Sequence, residues 1–432
     1  MRISVIGAGY LGATHAICMA SLGHDVLLVD IDQSKVDRIN KGELPFYEPG
    51  LGELLNKVQS AKSLRCTSDI SAISSSSIHF LCIGTPQEVD GLGADLSALE
   101  NAFHSVLDAS QPGSLIVGKS TVPVGTAERL ATELKATKKN LTLNWNPEFL
   151  REGHAVSDTL TPNRIVIGAA SESAAQKLAD FYASASPGVH QFITNFPTAE
   201  LVKVAANAFL ATKISFINAM SEVADATGAD VNVLADAIGI DDRIGRKFLG
   251  AGIGFGGGCL PKDIRAFLAR ADELGLAESL HFLAEFDLIN QRARTRAVAL
   301  ALKELGNPKG KKVAVLGAAF KPDSDDVRDS PALEIAETLS TLGAQVFVHD
   351  PRALENAREK VPDLTYCTSV EEVLTRADLT MHLTEWREYR NLDPAQIIHL
   401  VKTPTLFDGR NVLDIKEWSE AGWRLLALGR SL

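Results

Sequence analysis

The chain has 432 residues and 45% hydrophobic content, more than one core usually serves, so two domains and a connecting element are expected. A formal net charge of −11 argues against nucleic acid or an anionic membrane surface as the main partner, while leaving room for an anionic ligand in a local basic cluster. There is no signal-like segment at the N-terminus, no apolar run of about 18 residues, and no CxxC pair among Cys18, Cys66, Cys82, Cys259 and Cys367. No disulfide framework, zinc site or other metal site is expected, and the pattern suits a cytoplasmic protein.

Residues 2–6 read as a short apolar strand, followed by Gly7-Ala8-Gly9-Tyr10-Leu11-Gly12, a helical stretch over 13–22, and a second strand over 26–29 that ends at Asp30. This is GxGxxG with a strand before it, a helix after it and an acid at the end of the next strand. Gly7 makes the tight turn, Gly9 lets the backbone approach a pyrophosphate at the helix N-terminus, and Gly12 lets helix and sheet pack. Asp30 would accept from a ribose 2′-OH and repel a 2′-phosphate, which favours NAD over NADP. Strands at 78–83 and 115–119 end in Gly84-Thr85-Pro86 and Ser120-Thr121-Val122-Pro123, loops that face the ligand in an open parallel sheet. Thr85 and Thr121 are the candidate hydroxyls there, although such threonines more often cap the next helix. A strand at 141–144 runs into Asn146-Pro147-Glu148-Phe149-Leu150-Arg151-Glu152-Gly153. Glu148, Glu152 and Arg151 suit acid, base or anion-holding work, or else a solvated first helical turn.

Beyond a strand-like run at 164–168 the character changes to an Ala-rich helix over 198–227, in which Lys203 and Asn207 lie four apart. Both could aim donors at one oxygen, or the lysine could simply snorkel. Next comes Gly254-Phe255-Gly256-Gly257-Gly258-Cys259-Leu260-Pro261-Lys262-Asp263. Backbone N–H groups near the sulfur, and Lys262 three positions on, favour a thiolate, and Asp263 shares a face with it if a helix starts there. A small apolar cysteine packed in a tight loop is the competing reading. A second helix spans 277–305, so the middle is all helical, a spine and a natural dimer surface. From 311 the α/β pattern returns, with a strand at 312–316, a helix at 331–342 and a strand at 345–350. Gly317-Ala318-Ala319-Phe320-Lys321 lacks the fingerprint glycines, and Lys321 with Arg328 could hold a different anion. Arg410 follows a later strand. The expected fold is α/β: two doubly wound Rossmann-like domains joined by a long central helix and an all-helical middle, with domains 1–197, 198–306 and 307–432.

Several of these stretches, in order and across essentially the whole chain, resemble the UDP-glucose/GDP-mannose dehydrogenase family. They are the fingerprint at 7–12, Tyr47-Glu48-Pro49-Gly50-Leu51, Lys119-Ser120-Thr121-Val122-Pro123-Val124-Gly125-Thr126, Asn146 to Leu150, the cysteine loop, and Phe320-Lys321-Pro322-Asp323. The run Thr384-Glu385-Trp386-Arg387-Glu388-Tyr389-Arg390 looks like its UDP-glucose branch. The resemblance implies NAD-dependent, four-electron oxidation of a sugar C6 alcohol to a carboxylate. Cys259 would form a thiohemiacetal and then a thioester. Lys203 and Asn207 would stabilise the oxyanion, Asp263 and Thr121 would handle proton and water, and Glu148 would assist hydrolysis. The UDP-sugar would be held by Glu148, Phe149, Leu150, Arg151, Lys203, Asn207, Phe248, Gly256, Phe320, Lys321 and Arg410. Arg243 would reach the site of a neighbouring copy, so a homodimer or larger homo-oligomer is implied. NAD would meet Gly7, Gly9, Tyr10, Leu11, Gly12, Asp30, Lys35, Thr85, Thr121, Glu152 and Arg328. The alternatives are a GDP-mannose 6-dehydrogenase with the same chemistry, a two-electron hydroxyacid dehydrogenase with no use for Cys259, and a non-catalytic NAD-sensing module.

Overall fold

A computed structural model describes residues 1–430, which divide into two compact units. The first comprises Met1–Ala206 and Arg265–Gly275. Its sheet has eight strands: β1 (Arg2–Ile6), β2 (Asp25–Val29), β3 (Leu64–Thr67), β4 (Ile78–Leu81), β5 (Leu115–Gly118), β6 (Thr142–Trp145), β7 (Ile165–Ala169) and β8 (Gln191–Thr194). Their order is β3-β2-β1-β4-β5-β6-β7-β8, so the chain reverses its winding between β1 and β4. The central strands read as continuous apolar runs because both faces are covered. Ile3, Val5, Phe80 and Val117 pack with Ile17 and Leu55 on one face, and Ile6, Val29 and Ile116 pack with Phe103 and Leu130 on the other.

The pairing is parallel except between β6 and β7, where Asn144 faces Ala169 and Trp145 faces Gly168 in antiparallel register. The doubly wound sheet expected from the sequence thus carries one antiparallel step. An antiparallel neighbour lets the chain leave β6 and re-enter β7 at one rim. Residues 146–164 are thereby kept at the carboxyl ends of the strands, beside the loops after β1, β4 and β5.

Four helices follow, Phe196–Thr227, Val231–Gly239, Leu260–Glu273 and Ala277–Leu305, with no strand between β8 and the next sheet. Among the described residues no helix is long and apolar enough to cross a membrane, and no cluster of three His, Cys, Asp or Glu side chains could hold a metal.

The second unit comprises Asn207–Ile264 and residues 276 onward. It carries β9 (Lys312–Leu316), β10 (Gln345–His349), β11 (Thr365–Tyr366), β12 (Leu379–His382), β13 (Thr405–Asp408) and β14 (Arg424–Ala427). All are parallel, in the order β11-β10-β9-β12-β13-β14, which repeats the first six strands of the other sheet. Val313, Val315, Ile335, Val348, Met381 and Phe407 form its core.

The repeat extends to the first turn. Gly7 N–H donates to the Val29 carbonyl and Gly317 N–H to the His349 carbonyl, each at 2.8 Å, and both glycines have positive φ, +99° and +107°. Ala8 N–H then donates to Asp30 at 2.5 Å, as Ala318 N–H does to Asp350 at 2.7 Å. There the likeness ends. Gly9 is exposed, and a Cβ built on it meets nothing within 4 Å. Ala319, its counterpart, is fully buried. Thr384 lies against Gly317, its hydroxyl donates to the Ala319 carbonyl at 2.6 Å, and the Trp386 indole N–H donates to Asp350 at 3.1 Å. The second turn is filled by the protein's own Thr384–Trp386 segment.

Candidate active site

The helix Tyr10–Ser21 starts three residues earlier than its apolar pattern suggests, directly after Gly9. No side chain caps it and its first turn holds no acid, so its leading N–H groups point at open space in front of Gly9. Gly12 must lack a side chain, since a Cβ there would lie 1.8 Å from the Gly7 carbonyl oxygen. Half-buried Asp30 stands at the end of β2, accepting from the N–H groups of Ala8 and Asp32. An uncapped helix N-terminus, a bare glycine and a carboxylate at the neighbouring strand end fit a dinucleotide's pyrophosphate and ribose. Lys35 lies in the first turn of the next helix, 3.7 Å from Asp32.

The loops after β4 and β5 are tied together. Thr85 donates to the Thr121 carbonyl at 2.8 Å, and Ser120 donates to the Ile83 carbonyl at 2.6 Å while accepting from its N–H at 3.1 Å. The Thr85 hydroxyl proton is therefore engaged with protein, and only its lone pairs remain for a ligand. Tyr10 does not face solvent alone; its hydroxyl donates to buried Glu48. Burial and the neighbouring Glu48 and Glu152 carboxylates drive its pKa far above the usual phenol range. Glu152 thus sits within electrostatic reach of the fingerprint loop.

At the rim after β6, Lys203 donates to Glu148 at 3.1 Å, with the two side chains only 5% and 13% exposed. The other Glu148 oxygen accepts from Leu150 N–H at 2.7 Å. Phe149 carries the Arg164 guanidinium 3.9 Å from its ring centre, with the Lys203 ammonium at 5.6 Å. A cavity lined by Lys119, Asn146, Glu148, Phe149, Leu150 and Arg164 opens here. Arg151 lines it too, but its guanidinium forms a two-pronged pair with Asp158 at 2.8 and 2.9 Å. The sequence pattern offered that arginine as an anion holder; its fork is occupied by a carboxylate seven residues on.

In the second unit, Cys259 directly precedes the helix Leu260–Glu273 and is the exposed cysteine. Asp263 N–H donates to the Cys259 carbonyl at 3.0 Å, so the first turn begins at the cysteine. A sulfur at that position meets the positive end of the helix. Lys262 does less than expected for a thiolate, because its ammonium is 2.5 Å from Asp263. Buried Asp263 also accepts from the Asn207 amide at 2.7 Å. The other cysteines differ in kind: burial pushes the Cys18, Cys66 and Cys82 thiols up to about 12 and raises Cys367.

The glycines before the cysteine are explained by what touches them. A Cβ at Gly256 would lie 2.1 Å from the Asp329 carbonyl oxygen, and one at Gly258 2.2 Å from the Arg328 guanidinium carbon. Gly257 lies under the Phe320 ring at 2.7 Å by the same construction. Phe320 and Arg328 therefore flank the cysteine turn. Arg328 is paired with Asp326 at 2.7 Å, and the Lys321 ammonium lies 5.2 Å from the Phe320 ring centre. Arg410, its side chain 12% exposed, donates to the carbonyls of Leu383, Gly254 and Phe320 at 2.7, 2.9 and 3.0 Å and pairs with Glu385 at 3.2 Å. Burial lowers its pKa. Three of its five N–H donors thus tie together the turns at Leu383, Gly254 and Phe320, and its charge faces the Glu385 carboxylate. Phe248 holds a φ of +67°, costly for an aromatic residue, and stays 40% exposed. The Arg243 side chain is 89% exposed and pairs with Asp241 at 2.5 Å.

Sequence patterns did not single out Asn290 and Arg294. The Asn290 amide clasps both backbone groups of Phe255 at 2.8 and 3.0 Å, and Arg294 donates to the same carbonyl at 2.8 Å. Both lie in a long helix whose polar residues usually face water, so nothing in their spacing distinguished them. Glu48 and Glu200, both buried, were likewise overlooked as functional residues.

Comparison with known proteins agrees with this chemistry. Residues 1–186 match the NAD binding domain of the UDP-glucose/GDP-mannose dehydrogenase family, 197–292 its central domain, and 314–415 its UDP binding domain. The chain is 40% identical over 434 residues to UDP-glucose 6-dehydrogenase TuaD of Bacillus subtilis, covering 99% of this chain and 93% of that one. It is 39% identical to the UDP-glucose 6-dehydrogenase of Rhizobium meliloti with full coverage of both. The solved UDP-glucose dehydrogenase from Pyrobaculum islandicum superposes with a TM-score of 0.90 at 37% identity, covering 100% of this chain and 98% of that one. An open fingerprint turn, a second turn filled from within and a cysteine at a helix N-terminus thus stand in a sequence similar to these enzymes from end to end, and the chain belongs to the UDP-glucose/GDP-mannose dehydrogenase family.

Proposed function

We propose that this protein oxidises UDP-glucose to UDP-glucuronate with two equivalents of NAD. The observation that carries the reading is Cys259, an exposed thiol at a helix N-terminus among residues that hold its turn rigid, in a chain similar throughout to UDP-glucose 6-dehydrogenases. When bound, NAD takes up the hydride leaving C6 in each of the two oxidations. Gly7, Gly9, Tyr10, Leu11, Gly12, Asp30, Lys35 and Thr85 hold it.

The residues of the chain do the rest. Asp263 accepts the C6 hydroxyl proton through a water that Thr121 holds, and Lys203 and Asn207 donate to the developing oxyanion. The Cys259 thiolate adds to the aldehyde carbon; a C–S bond forms and the carbonyl π pair moves to oxygen. Loss of the second hydride leaves a thioester. Glu148 assists water onto that carbon, the C–S bond breaks, and the thiol and carboxylate are released. Phe320, Lys321, Arg410 and the residues around Phe149 hold the nucleotide sugar, and Arg328 and Glu152 complete the cofactor's surroundings. Five scattered cysteines with no pairing pattern suit the cytoplasm, where thiols stay reduced, and that is its place.

The test is the yield of NADH on complete consumption of UDP-glucose, run beside GDP-mannose. Two NADH per UDP-glucose are expected. A yield of one stops the reaction at the aldehyde and removes the role of Cys259, while turnover of GDP-mannose alone moves the substrate and keeps the chemistry.

The active unit is a homodimer built on the helix Phe196–Thr227. Phe209, Phe216 and Val223 recur on it every seven residues and are 65%, 44% and 53% exposed, a stripe suited to a second copy of the same helix. Arg243 then serves the neighbouring copy's substrate. Sedimentation equilibrium should give twice the chain mass for the native protein and the single mass for Phe216→Glu; a native monomer overturns the assignment.

A further inference from the structure

Outside the residues given chemical roles, two buried carboxylates touch the backbone of loops that carry them, and Glu200 is the one beside Thr121. Glu200 lies in the helix Phe196–Thr227, one turn before Lys203, and is 2% exposed. Its two oxygens accept from Gly125 N–H and Ala127 N–H, each at 2.7 Å. Gly125 has φ +102° and caps the helix Thr126–Ala136, which has no side-chain cap of its own. The loop Thr121-Val122-Pro123-Val124-Gly125 is held again by Arg270, which donates to the Val124 carbonyl at 2.8 Å. The arrangement occurs twice. Buried Glu48 accepts from Gly153 N–H and Ala155 N–H, each at 2.7 Å, at another Gly-x-Ala turn whose glycine has positive φ, directly after Glu148 and Glu152.

We propose that Glu200 is a positioning residue for the oxidation, and that its ionised carboxylate, bridging two backbone N–H groups, fixes the loop that presents Thr121. The inference rests on the role given to Thr121 above. A carboxylate has an acceptor for each N–H. A carboxylic acid turns one oxygen into an O–H donor that faces an N–H, so one of the two bonds is lost and a buried donor is stranded. Burial pushes Glu200 up to about 7, against the pull of the two N–H groups and of Arg270, with Glu128 adding repulsion from the capped helix. These are the charges that face it from the loop, the capped helix and the helix Leu260–Glu273. On its own helix, Lys203 is paired with Glu148. The loop is therefore set above neutrality and loosened below it.

The experiment follows kcat and kcat/KM for UDP-glucose from pH 5.5 to 9 in the native enzyme and in Glu200→Gln, with amide hydrogen exchange of the peptide spanning 121–130 measured on both proteins without substrate. The variant reproduces the protonated form at every pH. Its kcat at pH 8 is expected to fall about tenfold, to the level of the native enzyme in acid, with KM for NAD changed less than about twofold and the acid limb near neutrality gone. Corrected for intrinsic rate, exchange at Gly125 and Ala127 is expected to quicken in the native protein on acidification and to be fast throughout in the variant. A variant with the native pH profile, or exchange independent of pH and substitution, overturns the proposal. If neither protein oxidises the nucleotide sugar the functional reading falls, and the exchange data, which need no turnover and in the native protein no variant, still decide the role of Glu200.

Discussion

Cys259→Ser binds NAD and UDP-glucose with native affinity and completes no net turnover, a loss expected to exceed about a thousandfold in kcat. The pocket survives because it is not built by the sulfur. Asn290 and Arg294 hold Phe255, Arg410 holds Gly254, and Gly258 packs on the Arg328 side chain, all independently of the side chain at 259. What disappears is the nucleophile. A serine hydroxyl is far less acidic than a thiol, and a helix N-terminus cannot ionise it. Without the adduct, the second hydride could leave only from the free aldehyde hydrate, a form the enzyme does not hold covalently. Calorimetric titration with UDP-glucose and a stopped assay for NADH per enzyme check both halves. Two NADH per sugar from the serine enzyme, at the native rate, would falsify the covalent route.

A second large effect is expected at Lys203. Lys203→Met should lower kcat by about 10² to 10³, the usual cost of losing a donor to a developing oxyanion. It should also destabilise the fold by about 3 kcal/mol, because the largely enclosed Glu148 carboxylate loses its ammonium partner and keeps the Leu150 N–H bond. The two losses separate in a double variant. Lys203→Met with Glu148→Gln removes both charges and should recover most of the stability while turning over at least about tenfold more slowly than Glu148→Gln alone, measured by urea unfolding beside initial rates. Activity equal to that of Glu148→Gln would reduce Lys203 to a packing residue and take the oxyanion role from it.

The first and second sheets were readable because their strands are apolar runs closed by turn residues, and because the glycines at 7, 9 and 12 can be interpreted by the backbone alone. The direction of β7 was not readable: Ile165–Ala169 is buried on both faces and would look the same in either orientation. The cysteine turn was legible in kind and not in cause. Its glycines reflect the proximity of Phe320, Arg328 and Asp329, residues more than sixty positions away, and no local pattern reports a contact at that distance. The arginines were the least readable. Arg151, Arg243 and Arg328 each sit where an anion could be held, and each is paired with an aspartate within seven residues, Asp158, Asp241 and Asp326. Whether a guanidinium is left for a ligand depends on side-chain geometry, which spacing does not encode. Glu48 and Glu200 were missed for a related reason, since a glutamate that binds backbone N–H groups looks in sequence like any solvated one.

The Thr384–Trp386 segment that fills the second turn bears on the order of events. With one open fingerprint among the described residues and two hydrides to remove, a chain cannot hold both cofactors at once in equivalent places. The first reduced cofactor has to depart and a fresh one arrive while the half-oxidised sugar stays put. Retention of that intermediate must outlast a full cofactor exchange, so on the proposed mechanism processivity depends on the hold on the nucleotide end of the sugar together with the Cys259 adduct, and not on speed at C6.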